Sequence, residues 1–293
     1  MLQKVLWVLP AAILLGMSAK GDIIYNNLTP NNLMAIASRP GTAGAFEIEA
    51  ADDFLLGSAS IINSASLVGL LVSPTGAPAN ISDLTIEIYR VFPNDSDVGR
   101  TSGPPTFSTS QVPTRVNSPS DVAFDNRDSG VPGQLTFSTS VLSASFTALN
   151  SIQPGGIHPK PGQTTGGNGP LTGQEVQFNI SFVTPFNLPA DHYFFVPQVT
   201  LTNGAEFYWL SASRPISGAG TTPFNPDLQA WTRDANLDPD WLRAGTDIVG
   251  GATPPTFNAA FSLNGTSVPE PSSVALVIGG LALIGFRRYR ALA

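Results

Sequence analysis

The stretch EVQFNISFV, Glu175 to Val183, alternates Val176, Phe178, Ile180 and Phe182 with Glu175, Gln177, Asn179 and Ser181. Successive side chains of an extended chain point to opposite faces, so this alternation describes a strand with one buried face. LTIEI repeats the pattern with Leu84, Ile86 and Ile88, and FNAAFSL repeats it with Phe257, Ala259, Phe261 and Leu263. Further strands are expected at 23–25, 54–56, 66–72, 134–138, 193–201 and 207–210, separated by turn-forming clusters such as SPTGAPAN and FPNDSD. No internal stretch keeps apolar residues at helical spacing for three turns. A parallel α/β fold would need a helical crossover after each strand. The pattern therefore predicts an all-β ectodomain, an antiparallel β-sandwich or jelly roll.

Composition narrows the chemistry. The chain of 293 residues has no cysteine, which removes disulfide frameworks, thiolate metal sites and cysteine nucleophiles. Charged residues make up only 12%, while 28 glycines and 26 prolines supply turns far in excess of ordinary usage. About 247 residues suffice for one large sandwich with long loops. The segment SIQPGGIHPKPGQTTGGNGPLTG, Ser151 to Gly173, is almost free of apolar side chains and reads as an extended, mobile surface loop.

The two ends differ from the middle. Lys4 precedes an apolar run from Val5 to Met17, and small residues follow in GMSAKGD. That is the three-part pattern of a secretory signal peptide, a signal helix expected over 1–21. At the other end, VPEPSSVALVIGGLALIGFRRYR combines a Pro269-Glu270-Pro271 knuckle, an uncharged run from Ser272 to Phe286, and Arg287, Arg288 and Arg290. A helix over 272–286 spans about 22 Å, short of the ~30 Å hydrocarbon core. Snorkelling arginines and the interfacial Tyr289 make up the difference, and the clustered positive charge places this end on the cytoplasmic side. The prolines keep Glu270 accessible, since neither a helix nor a central strand continues through them.

This tail resembles the PEP-CTERM sorting signal of exported bacterial proteins. The resemblance implies division of the chain into a signal peptide (1–21), a β-sandwich ectodomain (22–267) and a sorting signal (268–293) that includes a single transmembrane helix. It further implies that secretion machinery and signal peptidase export the chain, and that an exosortase cuts near Pro269, Glu270 and Pro271. The protein would be transiently anchored in the inner membrane with its ectodomain outside the cytoplasm, then reach the cell surface or the medium. A structural or adhesive role in an exopolysaccharide or biofilm matrix follows from the same likeness. EIEAADDFLL, Glu47 to Leu56, also resembles a stretch in the ectodomains of other PEP-CTERM proteins, where it leads into a sandwich strand.

With Lys4, Lys20, Arg287, Arg288, Arg290 and Glu270 set aside, nine basic and twenty acidic side chains remain between Asp22 and Val268. So acidic a domain does not suit nucleic acid, which needs a basic patch. It suits solubility outside the cell, divalent cations or neutral glycans.

Catalytic signals are sparse. Of the two histidines, His158 lies in the Gly/Pro-rich segment and His192 follows Asp191 in PADHYFF, with no G-x-S-x-G elbow to supply a serine nucleophile. Paired carboxylates for glycoside hydrolysis would have to come from Glu47, Glu49, Glu87, Glu175 and Glu206. The expectation is that the chain is not an enzyme and carries no cofactor. A calcium site is the exception worth naming: RDANLDPDW sets Asp234, Asn236, Asp238 and Asp240 at alternate positions, as hard oxygen ligands require. Pro239 stands where an EF-hand has glycine, and a plain solvated turn is the competing reading. Trp231 and Trp241 bracket that acidic loop and could hold a sugar ring against the carboxylates, which makes a glycan- or calcium-binding module the alternative function and a secreted glycan hydrolase a further one. In Phe207, Tyr208 and Trp209, alternate rings must face opposite sides of a sheet.

Overall fold

The computed structural model describes residues 22–268 apart from 43, 75, 77–78, 97–111, 113–114, 153–163 and 214–226. The signal segment, His158, the tail from Pro269 onward with its apolar run, and the arginines that follow lie outside the described residues.

Alternating apolar residues close into two sheets. The larger is built on β4 (Ser60–Val72), whose thirteen residues pair along one side with β9 (Leu171–Leu188). The other side of β4 is shared in succession: β14 (Phe261–Ser267) pairs with its first half and β11 (Glu206–Ala212) with its last four residues. β1 (Asp22–Asn26) lies outside β14, and β2 (Pro30–Ala37) lies outside β11. The remaining members are β7 (Leu135–Ala148), which pairs with β9, and the two-residue β8 (Ser151–Ile152), parallel to β2. The second sheet runs β13 (Leu242–Arg243), β12 (Trp231–Asp234), β3 (Ile48–Leu55), β10 (His192–Leu201), β5 (Ile81–Arg90) and β6 (Asp125–Asp128). Apart from β2 with β8, every strand pair is antiparallel among the described residues. The one helical element described is a six-residue π-turn at Ala244–Val249. The mostly β, curled architecture is consistent with the expected sandwich.

The main core lies between the sheets. Val176, Phe178, Ile180 and Phe182 of β9 meet Phe54 of β3 and Tyr193 and Phe195 of β10, together with Phe207 and Trp209 of β11. The rings of Phe195 and Phe261 stack with centroids 5.1 Å apart, and Trp209 meets Phe261 edge-on at 5.5 Å. Burial of each such ring contributes about 1.5–3 kcal/mol. Gly69 marks where β11 takes over from β14 along β4: a Cβ there would lie 2.3 Å from the Phe207 ring and 2.7 Å from the Tyr208 carbonyl. Only the missing side chain lets the two backbones approach.

Several strands outrun their sequence signal. β9 begins at Leu171, inside the stretch expected to be loop, and Ser151 and Ile152 pair with β2, so the expected loop is narrower than 151–173. β2, β6, β12 and β13 lack clean alternation and were not expected; they form because partners with free edges lie beside them.

Candidate functional site

β3 organises the polar interior. Ile48, Ala50 and Phe54 join the main core, whereas Ala51 joins a second apolar cluster with Tyr89, Phe194, Val196, Trp231 and Trp241 on the opposite face of the sheet. Glu49 shares that outer face by alternation. Its neighbour in the ladder is Arg233 of β12, and the guanidinium Nε donates to Glu49 Oε2.

One hydroxyl ties the network together. Tyr89 Oη lies 2.9 Å from Glu49 Oε1, 3.0 Å from Glu87 Oε2 and 2.9 Å from Arg233 Nη2. A phenol has one proton and two lone pairs. If it donates to Glu49 and accepts from Arg233, the third contact is complete only when Glu87 carries a proton of its own. The electrostatics agree: burial, with Glu49 beside it, pushes the Glu87 carboxyl up to about 8. Burial likewise raises Glu47, which accepts from Gln198 Nε2 at 2.8 Å. For Arg233, burial works against the charge, but Glu49 and Tyr89 outweigh it and the guanidinium is held charged.

Arg233 is enclosed on all sides. Its Nη1 reaches the carbonyls of Asp121 and Pro239, each at 3.2 Å, and Asp238 Oδ1 at 3.0 Å. The guanidinium carbon sits 4.4 Å from the Trp241 ring centroid. Arg115, fully buried, continues the network to Asp121, to Asp240 Oδ1 at 3.2 Å and to the Pro239 carbonyl at 3.2 Å. A buried arginine is tolerated only when paired in this way.

A second buried group lies along the same strand. His192 Nε2 is 2.6 Å from Asp53 Oδ2, and the two side chains are 1% and 2% exposed. Ion pairing would raise the imidazole, but burial dominates and takes it down to about 4, against the pull of Asp191 and Asp227. His192 is therefore neutral at pH 7 and donates to Asp53, whose Oδ1 accepts the Leu228 amide at 2.8 Å. Burial, with Asp53 beside it, raises Asp52 well above the carboxylate range; its Oδ2 accepts the Ala259 amide at 2.8 Å, and its Oδ1 has no hydrogen-bond partner among the described residues.

Of the five glutamates singled out from the sequence, the fold brings Glu47, Glu49 and Glu87 together and leaves two apart. Glu206 pairs with Arg39, and Glu175 is buried on β9. A carboxyl beside a carboxylate is the pairing that glycoside hydrolysis uses. Here both oxygens of Glu49 are taken, by Arg233 and Tyr89, and the residue is 2% exposed.

The acidic turn between β12 and β13 is spoken for in the same way. Asp234 Oδ1 accepts the amides of Asn236 and Leu237, at 2.9 and 3.0 Å; Asp238 meets Arg233 and Asp240 meets Arg115. Asn236 is exposed. Among the described residues no three His, Cys, Asp or Glu side chains form a group able to hold a metal ion. Trp231 and Trp241 are buried in the second cluster rather than open to a sugar, and Trp241 Nε1 donates to the Ser120 carbonyl at 3.0 Å. Phe207, Tyr208 and Trp209 are all buried and all belong to the main core cluster.

Sequence reasoning passed over Tyr89, Arg115, Asp121 and Arg233. Their signal was scarcity: in a chain with so few basic residues, an arginine inside an apolar or Pro/Ser-rich stretch such as VPTRVNSPSD invites a search for its buried acid.

No curated protein and no solved structure matches the chain. A protein-family model matches residues 267–291, and that match spans Pro269, Glu270, Pro271, the apolar run and all three terminal arginines. The chain thus carries the PEP-CTERM protein-sorting motif, which implies an exported protein handled by exosortase-type machinery.

Proposed function

We propose that this is a cell-surface or extracellular-matrix protein with a structural or adhesive role in an exopolysaccharide or biofilm matrix. It is anchored transiently in the inner membrane by residues 272–286 and released when an exosortase cuts near Pro269–Pro271. The observation that carries the reading is the position of the sorting motif: it begins at residue 267, where β14 ends at Ser267, so the signal follows directly on the last strand of the β domain.

A non-catalytic role is supported by how the reactive groups are used. Glu49, Arg233 and Tyr89 satisfy one another in the outer cluster, Arg115 is paired with Asp121 and Asp240, and His192 with Asp53 is sealed from solvent. Such groups hold strands in register and leave little free for a substrate.

Mass spectrometry of the mature C-terminus from the native host tests the proposal. A chain ending within Val268–Pro271 is expected. Arg287–Arg290 retained on a membrane-bound protein would overturn the processing step.

A further inference from the structure

The two ends of the described domain leave from one place. β1 starts at Asp22 opposite Gly265, two residues before β14 ends, and β14 closes with Ser267 opposite Ser60. The Val268 amide then donates to the Ala59 carbonyl at 2.7 Å. The β9–β10 turn joins the same pole, because Leu188 pairs with Ser60 and the Leu56 amide donates to the Asp191 carbonyl at 3.0 Å.

This pole is apolar for a surface of so acidic a domain. A groove of ≈ 300 Å³ is lined by Ala59–Ile61, Asn187–Pro189 and Val268. Ile23, Leu55 and Val268 are 66%, 49% and 41% exposed. Segments 22–23, 55–61, 187–192 and 265–268 contain no lysine or arginine.

The length of chain beyond the pole decides what can cover it. Only Pro269, Glu270 and Pro271 separate Val268 from Ser272, the first residue of the apolar run. Four Cα–Cα steps reach at most about 14 Å. A domain of this size has a radius of gyration of about 18 Å, so its far side cannot be drawn to the same surface. At the other terminus the signal run ends at Met17, at most about 18 Å from Asp22.

We infer that this pole, formed by the β3–β4 turn, the β9–β10 turn and the outer ends of β1 and β14, rests on the lipid surface while the chain is anchored. The inference builds on the reading of residues 272–286 as membrane-inserting. Contact is through apolar side chains and the short tether; Arg90, which lies opposite Tyr193 at this end of the sheet, is paired with Asp95, so the contact needs no anionic lipid. The same geometry brings the Pro-Glu-Pro knuckle to the height of a membrane-embedded enzyme.

The absence of cysteine allows a clean test, because any introduced cysteine is the single labelling site. Signal-free full chain, residues 22–293, is reconstituted into vesicles of zwitterionic phospholipid carrying a nitroxide on the upper acyl chain. A fluorophore is attached in turn at Asn187→Cys, at Ala190→Cys on the same pole, and at Asn203→Cys in the exposed β10–β11 turn at the far end. Flotation with the vesicles and several-fold stronger quenching at 187 and 190 than at 203 is the expected result, unchanged by added salt. Flotation with equal quenching at all three sites overturns the inference and leaves the anchor reading standing. Failure to float overturns both. The paired sites 187 and 190 keep the test decisive should one substitution disturb folding.

Discussion

Glu49 of β3 and Glu87 of β5, separated by β10, share one hydroxyl, that of Tyr89, at 2.9 and 3.0 Å. Two strands of the second sheet, β3 and β5, are thereby tied across β10 on its outer face, and Arg233 of β12 adds a third. Tyr89→Phe leaves Glu49, Glu87 and Arg233 each short of a partner. It is expected to cost about 1–3 kcal/mol, read as a lower urea midpoint at unchanged slope.

The proton on Glu87 makes stability depend on pH. Its folded value, about 8, lies above the ordinary 4.5, so the folded chain holds a proton that the unfolded chain has lost between those limits. The contribution is complete below pH 4.5 and fades as pH rises through 8. Glu87→Gln should flatten the decline between pH 6.5 and 8, measured by thermal unfolding across that range.

His192 acts with the opposite sign. Its folded value, about 4, lies below the ordinary 6.5, so the unfolded chain takes up a proton first as the medium is acidified. Stability is complete above 6.5 and is lost as pH falls towards 4. Because Glu87 opposes this between 4.5 and 6.5, the acid limb should be steeper in the Glu87→Gln background than in the parent. Adding His192→Gln should remove the extra slope.

Gly69→Ala places a methyl group against the Phe207 ring and the Tyr208 carbonyl. Overpacking of this kind typically costs about 1–3 kcal/mol. The melting temperature should drop without a change in strand content by circular dichroism.

Millimolar calcium should leave the melting temperature where it is. The carboxylates of Asp234, Asp238 and Asp240 already serve backbone amides, Arg233 and Arg115. A ligand-dependent rise would show that the turn gives up those partners for a cation.

Local chemistry sufficed where a strand alternates cleanly between core and solvent, and failed for β2, whose core residues Met34 to Ala37 run consecutively. The alternation in Val176–Phe182 and Leu84–Ile88 states which side is buried, and the lack of helical spacing is matched by an architecture of two curled sheets. The terminal motif is legible for a different reason: it is recognised as a linear sequence, and needs no fold to be read. What the alternation could not convey was β3, where Glu49, Asp52 and Asp53 are all buried within seven consecutive buried positions. In isolation EAADDF looks like a solvated strand. The acids are interior because Arg233, Tyr89, His192 and the Leu228 and Ala259 amides, from strands and turns far along the chain, offer the hydrogen bonds that make their burial tolerable. Periodicity reports only a residue's own preference for water. Which partners will replace that water, and therefore which acids are interior and which termini share a pole, is a property of the tertiary arrangement alone.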